Sequence, residues 1–455
     1  MDDKTNGAGS TERPVKKSRS EPVSGPLDEA QHPSKDIRGS ISEALRGKKV
    51  ALGITGSVAA VRSSEIARLL MRYGAEVFPV MSPEACRIIH PNLMEWATGN
   101  PAVTSLGGGI EHVALAGNVA GRVDAVLIAP STANTLGKIA NGIDDTPVTT
   151  LATTAIGQGI PMLIVPAMHE PMYHHPAVKR NIESLQDDGI HFLMPHIAEG
   201  KAKIPETEEI VFHTIDLLRS NGPLAGTEWI VTAGRTVEYL DPIRVITNNS
   251  SGKMGIEISR ALYLAGAQVH VVYGKGTAQP VPNVPTYRVE TAAQMLAKVK
   301  TLLETHKIDC LVAAAAVGDW QAGEKAQDKI TTHGTEKLSL EMVPTPKIID
   351  QVKNFSPHTF LVAFRALYHK SLAELAADGQ ARMKKAKADM IAVNDVGAAG
   401  AGFETATNEL HLFDKNGGRT HIELSTKFKA AEVLIHAVAR QAGLGPQTGL
   451  GRQPS

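Results

Sequence analysis

The 455-residue chain has only two cysteines, Cys86 and Cys310. Two distant thiols exclude a disulfide framework and a CxxC zinc site, and they point to a reducing compartment. Aromatics make up 4%, and no apolar run approaches the ~20 residues that cross a bilayer. The N-terminus lacks a hydrophobic signal region. Lys plus Arg and Asp plus Glu stand at 47 each, so bulk charge draws the chain neither to nucleic acid nor to an anionic membrane. The expectation is a soluble cytoplasmic protein with small-molecule partners, no nucleic acid and no membrane.

What is present is apolar content of 42% and 41 glycines, enough for substantial cores joined by glycine turns. Residues 1–38 and 444–455, rich in Ser, Pro, Gly and charge, read as disordered tails because they cannot bury enough apolar surface to offset ordering entropy. Between them short apolar runs alternate with helical patterns, twice. The first series is Val50–Ile54, Glu76–Met81, Ala125–Ala129 and Met162–Val165, with Ser63–Arg72 and Asn134–Ala140 helical. After the break Arg219-Ser220-Asn221-Gly222-Pro223 come Trp229–Thr232, Gln268–Tyr273, Cys310–Ala314, Phe360–Ala363 and Met390–Val393, with Ser259–Leu264 and Ala292–Leu303 helical. Leu410–Phe413 and His421–Leu424 flank a turn, Asp414 to Gly418, that reads as an added hairpin. Near-continuous apolar strands separated by helices imply parallel sheets covered on both faces. The fold class is therefore α/β, with two doubly wound Rossmann-like domains at about 39–220 and 224–443.

Each domain opens with a strand that runs into a glycine turn. In such sheets ligands lie at the carboxyl ends of the strands, where helix N-termini offer N–H groups to phosphate. The first turn is Thr55-Gly56-Ser57-Val58-Ala59-Ala60. It lacks the GxGxxG fingerprint, and the second strand ends Val80-Met81-Ser82 without an acidic residue, which favours a mononucleotide such as FMN over NAD. Ala129-Pro130-Ser131-Thr132-Ala133-Asn134-Thr135 and Pro166-Ala167-Met168-His169 occupy the same position after later strands. Four polar strand ends on one sheet edge make a site. His112, beyond Gly107-Gly108-Gly109, suits proton transfer on a flexible approach to that site. His169, His174 and His175 carry no metal-ligand spacing of known meaning.

The second turn, Val231-Thr232-Ala233-Gly234-Arg235-Thr236, precedes Asp241-Pro242-Ile243-Arg244 and Thr247-Asn248-Asn249-Ser250-Ser251-Gly252-Lys253-Met254-Gly255. Lys253 in the first turn of a helix opposes the helix dipole, so a bound anion would explain it. The small residues Ala313, Ala314 and Ala315 let a base or ribose lie on the backbone, Asp319 can accept hydrogen bonds, and Lys329 is a candidate for neutralising phosphate.

With these motifs in order, the chain resembles the bifunctional coenzyme A biosynthesis family, in which phosphopantothenoylcysteine decarboxylase is fused to phosphopantothenate–cysteine ligase. The resemblance covers about 48–425. It implies a flavodoxin-like first domain that binds FMN through Gly56, Ser57, Val58, Ser82, Thr132, Ala133, Asn134 and Thr135, with His112 and His169 catalytic. FMN would oxidise the cysteinyl thiol of 4′-phosphopantothenoylcysteine, CO₂ would leave, and reduction would give 4′-phosphopantetheine. It implies a second domain that activates 4′-phosphopantothenate with CTP as an acyl-cytidylate, for attack by L-cysteine. Asn248 would contact the acyl intermediate and Lys329 would act in catalysis. Lys253, Ala313, Ala314, Ala315, Asp319, Pro346, Lys347, Ile348 and Phe364 would line the nucleotide site. Mg²⁺ is expected with the triphosphate. Assembly is expected too, with trimeric flavin domains and dimeric ligase domains.

The chain departs from the family pattern at three places. His169 stands where bacterial members carry Asn, as in archaeal members. The flap stretch Glu199-Gly200-Lys201-Ala202-Lys203-Ile204-Pro205 has no cysteine, which leaves Lys201 or Lys203 as proton donor. The usual Gly-Phe-x-Ala-Glu-Thr reads Ala363-Phe364-Arg365-Ala366-Leu367-Tyr368, without the acidic residue. Two other readings follow: a decarboxylase with an impaired or altered-nucleotide ligase half, and a non-catalytic regulatory flavoprotein.

Overall fold

Apolar strands too continuous to face water on either side assemble into two parallel sheets in the structure, a computed structural model that describes residues 32–198, 201–331, 337–402 and 404–445. The first sheet holds β1 (Lys49–Ile54), β2 (Glu76–Met81), β3 (Ala125–Ser131), β4 (Met162–Pro166) and β5 (His191–Phe192), in the order β2-β1-β3-β4-β5, all parallel. Every residue of β3 and β4 is buried. Helix Ser63–Arg72 covers one face with Ile66, Ala67, Leu70 and Met71, a stripe at helical spacing.

The second sheet has eight strands. They are β6 (Glu228–Ala233), β7 (Gln268–Tyr273), β8 (Thr286–Arg288), β9 (Cys310–Ala313), β10 (Phe360–Leu367), β11 (Met390–Asp395), β12 (Thr407–Asp414) and β13 (Arg419–Thr426). Their order is β8-β7-β6-β9-β10-β11-β12-β13, parallel as far as β11 and antiparallel through the β12–β13 hairpin. In the hairpin turn Asp414 accepts from the N–H groups of Asn416 and Gly418.

Both orders reverse once, between β1 and β3 and between β6 and β9. At such a switch point adjacent loops leave in opposite directions and open a crevice at the carboxyl ends of the strands. Thr55–Val58 and Thr132–Thr135 stand at the first crevice, and Gly234 and Ala313–Ala315 at the second.

The expected N-terminal tail is shorter than the sequence suggests. Pro33–Ile37 form a 3-10 turn capped by His32, Ser34 is buried, and Arg38 reaches Glu76 at 3.5 Å. A compositional block hides this local capping and ion pairing. At the other end Gly443 adopts a left-handed φ of 68°, and Leu444 donates back to Ala439 O and packs on the core. The remaining tail residues, 1–31 and 446–455, and Glu199–Gly200 of the flap lie outside the described residues.

The two domains share packing. Phe212 on helix Thr207–Leu218 stacks on Tyr263 of helix Lys253–Leu264, with centroids 5.3 Å apart, and Tyr73 meets Phe212 edge-on. Arg260 spans the junction to Glu208 at 2.5 Å. No helix among the described residues is long and apolar enough to cross a membrane.

Candidate functional site

At the first crevice, hydroxyl side chains organise three loops. The buried Thr55 Oγ1 donates to Pro130 O (2.9 Å) and accepts from Thr132 N (3.0 Å), which ties the end of β1 to the end of β3. Ser57, Ser82 and Thr132 cap the turns that follow, accepting from the N–H groups of Ala59, Ala85 and Thr135. Gly56 has an internal reason to be glycine: a Cβ there would lie 2.4 Å from Glu84 Cβ, so the turn and the Pro83–Cys86 helix approach as closely as they do only without one. Val58 is 79% exposed and Asn134 is exposed, so this edge presents both an apolar and an amide surface.

His112 lies in the first turn of a short helix, Glu111–Ala116, rather than on a free approach. Glu111 accepts from Gly107 N (3.0 Å), and that N–H holds its carboxyl below the usual range and fixes the glycine loop. Among the described residues the buried His112 Nδ1 and Ser131 Oγ have no hydrogen-bond partner. Such atoms are rare in folded chains unless something polar completes them. His169 is exposed, and its strand Met168–His169 pairs antiparallel with Lys201–Lys203, with Lys201 opposite His169. The cysteine-free flap is therefore hydrogen-bonded to the loop after β4. Lys203 is exposed.

The second crevice is a cleft of about 790 Å³. It is lined by Asn248, Lys253, Ala313–Ala315, Asp319, Lys347, Ile348 and Phe364, all singled out in the sequence. The loop 248–252 is fixed from within: Arg235 donates to Ser250 O, and Ser251 Oγ accepts from Lys253 N (3.4 Å). Gly252 caps the helix at a φ of 81° with the Tyr273 ring against it, and a Cβ on Gly255 would meet Ala233 Cβ at 2.6 Å. Helix Lys253–Leu264 thus lies directly on β6, with its N-terminus in the cleft. Asn248 donates to Val317 O (3.1 Å), and Lys347 pairs with Asp319.

Two expected residues are not brought together with these. Lys329 is exposed and Pro346 flanks Lys347, and neither lines the cleft. The Lys329 loop is held elsewhere: the buried Asp241 carboxylate accepts from Ile243 N, Arg244 N, the Arg244 guanidinium and Ile330 N. Burial pushes that carboxyl up, but the N–H groups of Arg244, Ile243 and Ile330 outweigh it and hold it well below the carboxylate range. The motif Asp241-Pro242-Ile243-Arg244 is thus a clamp on the 330 loop. Leu367, in place of the acidic residue, packs on the core and is not a lining residue.

Sequence reasoning missed much of the positive wall. Among the described residues six cations line the cleft (Lys253, Lys347, Arg365, Arg382, Lys385 and Lys427) against two carboxylates, Asp319 and Asp350. Lys427 is 5% exposed at the first position of helix Lys427–Ala442, donating to the carbonyls of Gly402 and Thr405. Burial first, then the charge of Lys253, lowers its pKa to about 8. Two lysines at two helix N-termini in one cleft oppose both dipoles. A dense anion there relieves both costs.

The model of the flavoprotein family matches residues 38–219, and that of the DNA/pantothenate metabolism flavoprotein C-terminal domain matches 224–441. A coenzyme A biosynthesis bifunctional protein CoaBC of Thermococcus kodakarensis is 46% identical over 408 residues, covering 89% of this chain and 98% of that one. The protein of the same description from Methanocaldococcus jannaschii is 33% identical, covering 81% and 89%. That of Haemophilus influenzae is 32% identical, covering 87% and 98%.

Proposed function

This chain belongs to the bifunctional coenzyme A biosynthesis proteins, with a flavoprotein decarboxylase half and a phosphopantothenate–cysteine ligase half, and we propose that its two reactions run at the two switch points described above. In the second cleft, 4′-phosphopantothenate would attack the α-phosphorus of CTP through its carboxylate, releasing pyrophosphate and leaving an acyl-cytidylate. The amine of L-cysteine would then displace CMP to form the amide. Six lining cations suit the triphosphate, and Ala313–Ala315 leave room for a flat base. Asn248 would hold the acyl group. Asp319 offers the hard oxygen that Mg²⁺ takes beside phosphate, with Lys347 as its present partner.

At the first crevice the Ser131 Oγ, which lacks a partner among the described residues, the capping hydroxyls and the exposed Val58 fit a flavin, which Gly56–Val58, Ser82 and Thr132–Thr135 would hold. FMN supplies reversible oxidation of the substrate thiol, which turns the adjacent carbon into an electron sink for CO₂ loss. His112 would carry the proton exchanged with the substrate, and His169 would donate a hydrogen bond to the departing carboxylate. The paired strand 201–203 would cover both, with Lys201 or Lys203 returning a proton to the product. Exposed Val58 and Val61 on the turn beside this edge support assembly, since a second copy would cover them.

The cation-lined cleft at the β6/β9 switch point carries the ligase half, and Leu367, packed away from it, gives no ground for an impaired one. Pyrophosphate release from purified protein given phosphopantothenate, cysteine and either CTP or ATP tests it. Release that needs both acid and nucleotide, and is faster with CTP, is expected. No release with either nucleotide refutes the assignment.

A further inference from the structure

The sheet edge opposite the β8 side carries a group that neither reaction uses. Glu409, His411 and His421 each offer one ligand atom, and these atoms lie within 4.8 Å of one another. Strand geometry puts them there. Glu409 and His411 are two apart on β12 and so share a face, while His421 on β13 stands directly opposite His411 in the ladder. The register shifts between Asn408 and Leu410, so Glu409 sits at the irregularity, a device that re-aims a side chain. The two imidazoles stack with centroids 4.5 Å apart and 9° between planes. Both Nε2 atoms face one carboxylate oxygen, Glu409 Oε1, at 2.7 Å from His421 and 3.9 Å from His411.

The hydrogen bonding of His411 is unfinished. Its side chain is 12% exposed, its Nδ1 is buried with no partner among the described residues, and its Nε2 is beyond hydrogen-bond reach of Glu409. A second trio, Glu228, His270 and His306, differs in this respect. There His270 meets Glu228 at 2.7 Å and the Tyr287 hydroxyl at 3.4 Å, and His306 meets Thr305 at 2.8 Å, so its members are already paired.

We propose that Glu409, His411 and His421 form a site for a borderline divalent transition ion of the Zn²⁺ or Co²⁺ class, clamping the edge hairpin β12–β13. Two imidazoles and one carboxylate are the donors such ions take, whereas Mg²⁺ prefers oxygen alone. Metal bonds of ~2.0–2.1 Å ask His411 to close on Glu409 from 3.9 Å and His421 to open from its 2.7 Å hydrogen bond. His421, 43% exposed at the surface, can rotate to meet the other two, and Glu409 trades its hydrogen bond for a metal bond. Exposure on the His421 side leaves the fourth position to water. The ion joins two strands at the sheet edge, so its binding should stabilise the folded hairpin.

The test uses the full chain, stripped with chelator and titrated with Co²⁺ in excess Mg²⁺, with bound Zn²⁺ counted separately by elemental analysis. One equivalent per chain at micromolar concentration, Co²⁺ visible bands and a rise in Tm are expected. His421→Ala should abolish all three, and His306→Ala, at the paired trio, should leave them intact. Absence of binding to the unaltered chain, or a full equivalent retained by His421→Ala, would overturn the proposal. Because binding is read rather than turnover, either result is independent of the ligase and decarboxylase assignments.

Discussion

Lys427 is the residue whose charge state the cleft controls most directly. Its pKa falls from 10.5 to about 8, so the folded chain holds this proton less tightly than the unfolded one does. Between those values the unfolded state binds more protons, and stability contributed by this group rises with pH across that window. A bound triphosphate reverses the balance by favouring the ammonium, so nucleotide binding takes up a proton above pH 8. The KM for CTP should therefore climb above about pH 8, approaching tenfold per pH unit if this group dominates. Lys427→Met should raise that KM by roughly 10–100-fold, the worth of a charge-assisted hydrogen bond, and Lys427→Arg should flatten the pH profile. Steady-state kinetics over pH 7–10 check both. In the flavin domain, His112→Asn should lower CO₂ release by roughly 10²–10⁴-fold while flavin absorbance persists, the outcome expected of an imidazole proposed to move a proton rather than to hold the ring. Neither His112 nor Lys427 is equally legible in sequence. His112 follows a glycine run that marks it out, whereas Lys427 reaches the cleft only because the β12–β13 hairpin returns the chain across the sheet, and no local pattern signals that return.

At the scale of elements, helix Lys253–Leu264 forms part of the wall of the second cleft with its first turn. Its small face, Gly255 on Ala233, sets how closely it lies on β6 and hence where its N-terminus and Lys253 point. Gly255→Ala should lift the helix by a few tenths of an ångström or more, at a cost of about 1–3 kcal/mol from overpacking. Ligase turnover should fall and Tm with it, while decarboxylation of supplied phosphopantothenoylcysteine is spared. Equal loss of both activities would contradict a role confined to the second cleft. The long strands were legible because each is a near-continuous apolar run; Glu76–Met81 and Gln268–Tyr273 end where the pattern ends. The short antiparallel ribbons Val237–Tyr239 with Val245–Thr247 and Trp320–Ala322 with Met342–Pro344 were not, because three residues carry no period. Helix Pro147–Gly157 was missed although Thr146 and Thr149 form a capping box before it, since its threonines blur the apolar stripe.

For the whole molecule, the order of the two domains and the motifs at their strand ends were readable because parallel sheets bind ligands at one edge only. Which loops close on that edge was not: Asp241 ties the Lys329 loop at Ile330, an arrangement that depends on a buried carboxylate meeting a backbone N–H far along the chain. The exposed Val58 and Val61 predict self-association of the flavin half. Val58→Glu combined with Val61→Glu should lower the mass seen by light scattering, and an unchanged mass would remove that support. One chain is proposed to carry both chemistries, each at its own sheet edge. The most direct test is mass spectrometry of a single reaction in which the flavin-loaded full chain receives phosphopantothenate, cysteine and CTP. 4′-Phosphopantetheine should form, with pyrophosphate and CO₂ released in equal amounts; substrate of unchanged mass, or an amide product that never loses CO₂, would show that the chain does not carry both reactions.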